Sequence, residues 1–283
     1  MEITVADERA LVLTDQLKFD EAQSIAEKRK ADAFGAFQKV TSFLSRPKDN
    51  DFEITYTEHR YEPFWHVTGS ARYVYNRTVQ HHWPTSGPEV IKLTIDGKEY
   101  STTNDTITVS ALEDCVQEES EELFVDGLTS AKQSTLKDYL KFSAKELKKE
   151  DIEALSKKSV VLPPVARASV LVRDAASKMM HSIEADKIFE ESVQFQHVDL
   201  YYRPVFAFRY KWISKAKEAV VEVDGLTGNV TFSQKSFPQL VGKVLEYDFL
   251  FDIGADAVGM FVPGGSIAVK FAKKAIDIAK QKR

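Results

Sequence analysis

The stretch F-E-I-T-Y-T-E-H-R-Y-E-P-F-W-H-V, residues 52–67, returns later in the chain as V-Q-F-Q-H-V-D-L-Y-Y-R-P-V-F-A-F, residues 193–208. The two blocks align without a gap. Their large apolar residues and one proline recur at every second position, the spacing that places side chains on one face of a β-strand. The matched positions are Tyr61, Pro63, Trp65 and Val67 in the first copy and Tyr202, Pro204, Phe206 and Phe208 in the second. The repeat therefore predicts two related strands with a common packing face.

The opposite faces of these strands share neither charge nor polarity. Because packing explains only the common face, we expect a function specific to this protein where the copies differ. The residues predicted to contact a partner are Glu62, Phe64, His66, Arg203 and Val205. The shared proline cannot donate to a β-ladder, so the sequence predicts a strand edge or a bulge there. Such an edge can accept a strand from a partner.

A helical pattern precedes each block. Apolar residues at steps of three and four predict a helix that reaches Leu44, and a second helix carries Val172, Ala176 and Met179 on one side. After each helix come alternating strands and an Asp-Gly turn, Asp96-Gly97 in the first half and Asp224-Gly225 in the second. The pattern predicts an α+β fold of two related modules, each a helix packed on an antiparallel sheet.

Two segments have no copy. Ser110-Ala111-Leu112-Glu113 fits a helix capping box, and the acidic residues that follow indicate a helical insert with a solvated face. The tail has an apolar run, a Pro263-Gly264-Gly265 turn and a basic stretch, which together predict a C-terminal helical hairpin. The expected domains are residues 1–110 (first module), 111–164 (acidic helical insert), 165–236 (second module) and 237–283 (helical hairpin).

Composition narrows the functional classes. The 283 residues are 43% apolar and 29% charged, as in soluble globular proteins. A net charge of −5 argues against a nucleic-acid partner. A lone cysteine, Cys115, fits a reducing compartment, and no secretory signal pattern is visible, so we expect a cytoplasmic protein.

The sequence V-D-G-L-T-G-N-V, residues 223–230, ends the second meander with a D-x-x-T-G turn formed by Asp224, Thr227 and Gly228. In this turn, and in the order of helix and meander, the chain resembles PepSY-like or cystatin-like modules. The resemblance implies a non-catalytic module that binds or restrains a protein partner.

Catalytic and metal-binding signals are sparse. The first half contains His59, His66, His81 and His82, but we predict no metal site because adjacent His81 and His82 point to opposite strand faces. No phosphate-binding glycine loop or nucleophile motif is visible, so neither catalytic residues nor a cofactor is predicted.

We therefore expect a non-enzymatic binding or assembly protein that contacts a protein partner or a second copy of itself. One alternative is a peripheral membrane protein whose basic amphipathic tail helix contacts an anionic surface. The residues predicted for that contact are Phe271, Ile278, Lys270, Lys273 and Lys274. The second alternative is a metal-dependent hydrolase built on the histidines of the first half.

Overall fold

The computed structural model describes residues 1–35, 51–233 and 270–274. Of these residues, 54% are in strands and 22% are in helices. Ten of the described strands belong to one mixed sheet, and β4 and β5 form a separate hairpin. The predicted balanced α+β fold is therefore wrong, because a single large sheet replaces two small ones.

The elements have the following bounds. The strands are β1 (Glu2–Ala6), β2 (Arg9–Leu13), β3 (Phe52–Pro84), β4 (Lys92–Ile95), β5 (Lys98–Ser101), β6 (Thr106–Asp126), β7 (Ala144–Glu146), β8 (Val160–Val161), β9 (Lys187–Trp212), β10 (Lys217–Asp224), β11 (Val230–Ser233) and β12 (Lys270–Lys274). The α-helices are α1 (Phe19–Arg29), α2 (Lys149–Ser156) and α3 (Ala168–Met179), and 3₁₀ helices occupy Lys30–Phe34, Ser134–Lys141 and Ile213–Lys215.

The two copies of the repeated block pair with each other at the centre of the sheet. β3 and β9 run antiparallel from Phe52 opposite Trp212 to Asn76 opposite Lys187. Within this pairing, Glu62 lies opposite Arg203, which is its own counterpart in the repeat. A local two-fold axis therefore passes through that pair, and it relates the copies within one sheet.

The outer edges of β3 and β9 carry the remaining strands. β9 pairs with β1 and β2 in parallel and with β10 antiparallel, while β3 pairs with β8 in parallel and with β6 antiparallel. The shared prolines lie in these central strands, each directly before the first residue that pairs with the outer strand: Pro63 precedes the pairing of β3 with β6, and Pro204 precedes that of β9 with β10. The carbonyl of Pro63 accepts from the amide of Gly127 at 2.8 Å, and the carbonyl of Pro204 accepts from Gly225 at 2.9 Å. Because a strand residue directs both backbone groups to the same side, the N–H that each proline lacks would face a turn rather than a ladder.

The duplication extends to these turns, which share the sequence V-D-G-L-T at residues 125–129 and 223–227. Asp126 Oδ1 accepts the backbone amides of Leu128 at 3.0 Å and Thr129 at 2.8 Å. In the second turn, Asp224 Oδ1 accepts from Leu226 and Thr227, both at 2.9 Å. The Asp96-Gly97 turn, which the sequence matched to Asp224-Gly225, instead closes the separate β4–β5 hairpin.

Each helix covers the hairpin of the other copy. α1 precedes β3 in the chain but buries Ala22 and Ala26 against Phe206, Phe208 and Val221 of β9 and β10. α3 precedes β9 but packs mainly with the core that contains Trp65 and Val67 of β3, and it also touches β6. The residues ahead of each helix dock accordingly: the amide of Leu17 donates to the carbonyl of Gly225 at 3.0 Å, and that of Val165 to Gly127 at 2.7 Å. The sequence predicted that each helix packs on the sheet of its own module. In the structure the helices are exchanged, so that each packs on the hairpin of the other copy.

Three predicted helical segments contain strands. In the N-terminal stretch, predicted to be helical as far as Leu44, Glu2–Ala6 and Arg9–Leu13 form β1 and β2. The acidic insert contains β6, which holds every carboxylate from Glu113 to Glu122 in a ladder with β3. Residues 270–274 of the tail form β12, parallel to β1, where the sequence predicted part of a helical hairpin. The other predicted hairpin residues, and the predicted helix between residues 36 and 44, lie outside the described residues. Among the described residues, no helix combines the length and apolar character that a membrane crossing requires.

Candidate interaction site

Residues 77–113 project from the sheet as a hairpin, which we call the arm. The β3–β6 pairing covers 21 residue pairs, from Phe64–Asp126 to Pro84–Thr106, whereas the equivalent β9–β10 pairing ends after 8. β9 ends opposite Asn76, so the arm consists of β3 and β6 alone, with β4 and β5 at its tip. At about 3.4 Å per residue, its eight remaining pairs extend roughly 27 Å.

The arm exposes large apolar side chains. Ile91 at the tip is 81% exposed, Trp83 is 47% exposed and Leu112 is 61% exposed, and Val116 at the base of the arm is 60% exposed. A two-stranded hairpin without a covering layer is only marginally stable by itself. The second copy closes its hairpin with the short Ile213–Lys215 turn, so the common fold does not require an arm.

Among the described residues, the outer edge of β6 is closed at both ends and unpaired between them. At the tip, the amide and carbonyl of Thr106 are both bonded to Thr103. At the base, the carbonyl of Phe124 accepts from Gln133 and the amide of Asp126 donates to the carbonyl of Ala131, both at 2.9 Å. Backbone groups alternate sides along a strand, so the even-numbered residues of β6 direct their N–H and C=O outward.

We call the row of even-numbered residues from Thr108 to Glu122 the slot. Within residues 1–35, 51–233 and 270–274, β3 is the only strand that pairs with this part of β6. A free row of donors and acceptors is the feature to which an added strand binds.

Ion pairs with β3 and with neighbouring helices hold most of the carboxylates that the sequence assigned to a solvated helix face. Arg77 bonds Glu113 at 2.9 Å, Lys137 bonds Glu122 at 2.7 Å, and Lys178 bonds Glu121. Arg72 bonds Glu118 of β6 and also contacts Glu190 of β9 at 3.4 Å. β6 itself contains seven acidic residues and neither lysine nor arginine, so the strand beside the slot keeps a surplus of negative charge.

The face of the sheet opposite α1 and α3 contains a buried ionic network on the two-fold axis. Arg203 Nη2 bonds Glu62 Oε2 at 2.7 Å, and Arg60 bonds the other oxygen of Glu62 at 2.8 Å. Asp224 Oδ2 accepts from Tyr139 at 2.5 Å and from Arg203 at 3.2 Å. Burial alone would lower the pKa of Arg203, but Glu62, Tyr139 and Asp224 together outweigh burial, and the pKa lies above its ordinary value. Burial also raises the pKa of Tyr139 to about 12.

This network contains two of the five residues predicted to contact a partner. Glu62 and Arg203 bind each other instead of presenting themselves to solvent. Phe64 is buried and stacks on Tyr201 with ring centres 5.1 Å apart, and Val205 is buried on the same face. A partner-contact role for this set stays a prediction, and the geometry gives these four residues a packing role.

His66, the fifth predicted residue, belongs to a second cluster on the same face. Its Nε2 lies 3.0 Å from Glu122, and its ring stacks on Phe124 with centres 4.5 Å apart. Asp199 lies opposite His66 in β9 and binds Arg9 through two bonds of 2.8 and 2.7 Å. Desolvation lowers the pKa of His66 even though Glu122 favours the charged form.

The structure does not bring the four histidines of the first half together. His59 stacks on Phe206 on the helix-covered face, His66 lies on the opposite face, and His81 and His82 lie on the arm. Among the described residues, no group of three or more His, Cys, Asp or Glu side chains is placed to hold a metal ion. An open cavity of about 390 Å³ beside Ser70 contains the Arg72–Glu118 pair, so its charges already bind each other.

The tail residues predicted to contact a membrane are divided. Lys270, Phe271, Lys273 and Lys274 are in β12, opposite Glu2, Ile3, Val5 and Ala6 of β1. Ile278 lies outside the described residues. The strand removes the helical spacing on which that prediction rested.

No family model, no curated protein and no solved structure matches this chain. The resemblance to PepSY-like or cystatin-like modules therefore stays a prediction. Sequence reasoning missed the arm and the slot, although one signal was present. The V-D-G-L-T sequence at residues 125–129, the counterpart of residues 223–227, marks the true end of the first hairpin. It lies much farther along the chain from Pro63 than residues 223–227 lie from Pro204, and this difference reveals the insertion.

Proposed function

We propose that this chain is a non-enzymatic binding or assembly protein and that the arm is its contact element. The observation that carries this proposal is the difference between the two hairpins. Both copies share the packing face, the proline and the turn, but only the first copy contains an arm. An extension that the common fold does not need, and that holds apolar side chains in solvent, is typical of a surface that binds another protein.

The arm is also suited to binding in its shape. It offers the outer edge of β6 on one side and, on the other, the β3 edge at residues 77–84, with which no second strand pairs in the described part of the chain. Its charged residues bind each other across the hairpin, as Arg77, Glu113 and His81 do at 2.9 and 3.0 Å. Those pairs rigidify the arm, and a rigid element loses less conformational entropy when it binds. We further propose a cytoplasmic location, supported by the unpaired Cys115.

The experiment replaces residues 78–112 with Ile-Ser-Lys-Ala, the turn sequence of the second hairpin. Tagged intact and armless proteins are used for quantitative affinity capture from native lysate, with an untagged copy added to detect self-association. We expect the armless protein to keep its thermal transition, because the second hairpin already closes in this way, and to lose the proteins that the intact chain captures.

A matched pair tests the apolar contact within an intact arm. Ile91→Ser removes the most exposed apolar side chain of the tip, and Thr94→Ser changes a neighbouring residue of the same small hairpin. The first is expected to weaken capture and the second to leave it unchanged. Equal capture by intact and armless proteins, or no specific capture by the intact chain, would refute the proposed function.

The two alternative functions have less support. The membrane hypothesis requires an amphipathic helix through residues 270–274, which form β12. The hydrolase hypothesis requires clustered histidines, and the described histidines lie on different faces and elements.

A further inference from the structure

We propose that the slot on β6 binds a short, extended, basic segment of a partner protein, which adds to the sheet as one more strand. This inference rests on the proposed function and specifies its partner. The first observation is the row of outward backbone groups between Thr108 and Glu122. They offer the N–H and C=O groups of eight residues: Thr108, Ser110 and Leu112 lie in the arm, and the other five lie on the edge of the main sheet.

The closed ends of the slot determine what fits. We call the space beside β6 that an added strand would fill the lane. At the tip, Thr103 occupies the lane next to Thr106. At the base, residues 131–133 occupy the lane next to Phe124 and Asp126. A strand within the lane therefore has room for about 15 residues, or roughly 50 Å. A longer strand that continued in the same plane would collide with one end.

The same geometry disfavours a second copy of this edge. Suppose that the β6 strands of two copies paired about a two-fold axis. Each β6 would then have to continue past the slot of the other copy toward its own sheet, and the Thr103 of the other copy already occupies that space. The self-paired strands would also set acidic residues opposite one another in registers that use the acidic half, and like charges in direct opposition are destabilising. A single segment from another protein meets neither obstacle.

Charge selects a basic segment. The strand that would lie directly beside the occupant contains Glu113, Asp114, Glu118, Glu119, Glu121 and Glu122 and no positive residue. Asp114 is exposed and has no ion-pair partner among the described residues, and Glu118 is 65% exposed. Lysine or arginine opposite Asp114 and Glu118 would pair with Asp114 and share Glu118 with Arg72, whereas an acidic segment would be repelled.

Exposed apolar residues complete the match. Leu112 and Val116 alternate with Asp114 and Glu118 on one face of β6, so apolar and acidic positions are interleaved along the slot. A segment in which lysine and valine alternate at every second position fits this pattern. The probe is a peptide with the sequence Lys-Lys-Val-Thr-Lys-Lys-Val-Thr, and its control replaces every lysine with glutamate.

The test uses two variants of the full chain that differ in one backbone group. Ser120→Pro removes an N–H that faces the slot, and proline is tolerated at an edge because no bond to β3 is lost. Ser120→Ala also removes the hydroxyl but keeps the N–H. Thermal unfolding checks that both variants fold, and titration calorimetry measures peptide affinity.

We expect the basic peptide to bind the intact chain and Ser120→Ala with equal affinity, and Ser120→Pro about tenfold more weakly, because the hydrogen bond from the residue 120 N–H is lost. Added salt should weaken binding, and hydrogen exchange should slow at even-numbered residues 108–122 when peptide is present. Binding of both peptides alike, binding of neither, or equal affinity in the two variants would overturn the inference. Slow exchange at those residues in the free protein would overturn it as well, because the chain itself would then fill the slot. Loss of capture by the armless protein would still support the proposed function if this peptide test failed.

Discussion

Ser130 holds a backbone conformation that its counterpart in the repeat assigns to glycine. The residue after each V-D-G-L-T turn is left-handed, with φ of 59° at Ser130 and 73° at Gly228. A residue with a Cβ is strained in this region, whereas glycine is not. The two positions therefore form a matched pair for measuring the same strain in opposite directions.

We predict that Ser130→Gly stabilises the protein by about 0.5 kcal/mol, since relief of strain is partly offset by the greater entropy of glycine in the unfolded chain. Gly228→Ser should destabilise it by about 1 kcal/mol. Steric contact does not confuse the comparison, because a Cβ at Gly228 would lie 3.7 Å from its nearest neighbours, Ile25 and Leu17. Urea unfolding measures both changes, and a shift of the same sign in the two variants would contradict this account.

His66 makes stability depend on pH near neutrality. Its folded pKa is lowered by desolvation, so the unfolded chain binds a proton more readily than the folded one. The stabilisation is fully present above about pH 6.5, the ordinary pKa of histidine, and is lost as the pH falls from that value through the lower pKa of the folded state. Glu122 and Asp199 act in the opposite direction and limit the size of the effect.

We therefore expect the intact protein to lose more free energy of unfolding between pH 7.5 and 5.5 than His66→Gln does. His82→Gln, on the exposed part of the arm, should lose as much as the intact protein. Urea unfolding at the two pH values provides the measurement. A pH dependence in His66→Gln equal to that of the intact protein would rule out His66 as its source.

At the scale of elements, β6 shows why a helix prediction failed. The segment from Ser110 to Glu122 has a capping-box pattern and many glutamates, which favour a helix when only neighbouring residues are considered. The structure offers this segment a continuous partner, β3, whose Arg72 and Arg77 bind Glu118 and Glu113 across the ladder. Those cations are about 36 to 46 positions away in the sequence, so local reasoning had no access to them. Tertiary pairing outweighs intrinsic propensity here.

The repeated blocks were correctly predicted as strands because their signal is local. Tyr61, Trp65 and Val67 recur at odd-numbered positions, the spacing of one face of a strand, and all three side chains are in the core. What local alternation cannot supply is the identity of the neighbouring strand. The pairing of Glu62 with Arg203 therefore became visible only in the structure, and with it the burial of the residues predicted to contact a partner.

The arm is expected to open more easily than the sheet from which it projects. It has two strands and no covering layer, so its backbone bonds can break without exposing the core. We predict that the amides of Arg77 to Trp83 exchange hydrogen far faster than those of β3 between Tyr61 and Tyr73. Glu113→Gln, which removes the bonds to Arg77 and His81, should speed exchange in the arm further while leaving the global unfolding midpoint unchanged.

Native-state hydrogen exchange followed by mass spectrometry resolves the two regions. Glu99→Gln at the tip is the matched control, because it also neutralises an ion-paired glutamate, the partner of Lys92 in the separate hairpin. Uniform protection along the whole of β3 would show that the arm and the sheet open together.

For the stability of the whole molecule, the crossed packing of the two helices, each on the hairpin of the other copy, matters more than the duplication itself. α1 covers the second hairpin and α3 covers the first, and the two hairpins share the β3–β9 ladder. Neither copy can therefore bury its own apolar face without the other. Duplication alone would suggest two independently stable units. Because each core contains a helix from the other half of the chain, neither half is expected to remain folded without the other.

We accordingly predict one cooperative unfolding transition rather than two. Trp65 reports on the core beneath α3, and Trp212 reports on the core beneath α1, where it contacts Phe34 and Phe52. In Trp83→Phe/Trp212→Phe and in Trp83→Phe/Trp65→Phe, one tryptophan remains in each protein. Although Trp65→Phe lowers stability by opening space in the core, the fluorescence midpoint in urea should coincide with the circular dichroism midpoint within each variant. A fluorescence transition clearly separated from the loss of secondary structure in either variant would mean that one core unfolds while the other persists, and the exchanged arrangement of helices could not then be correct.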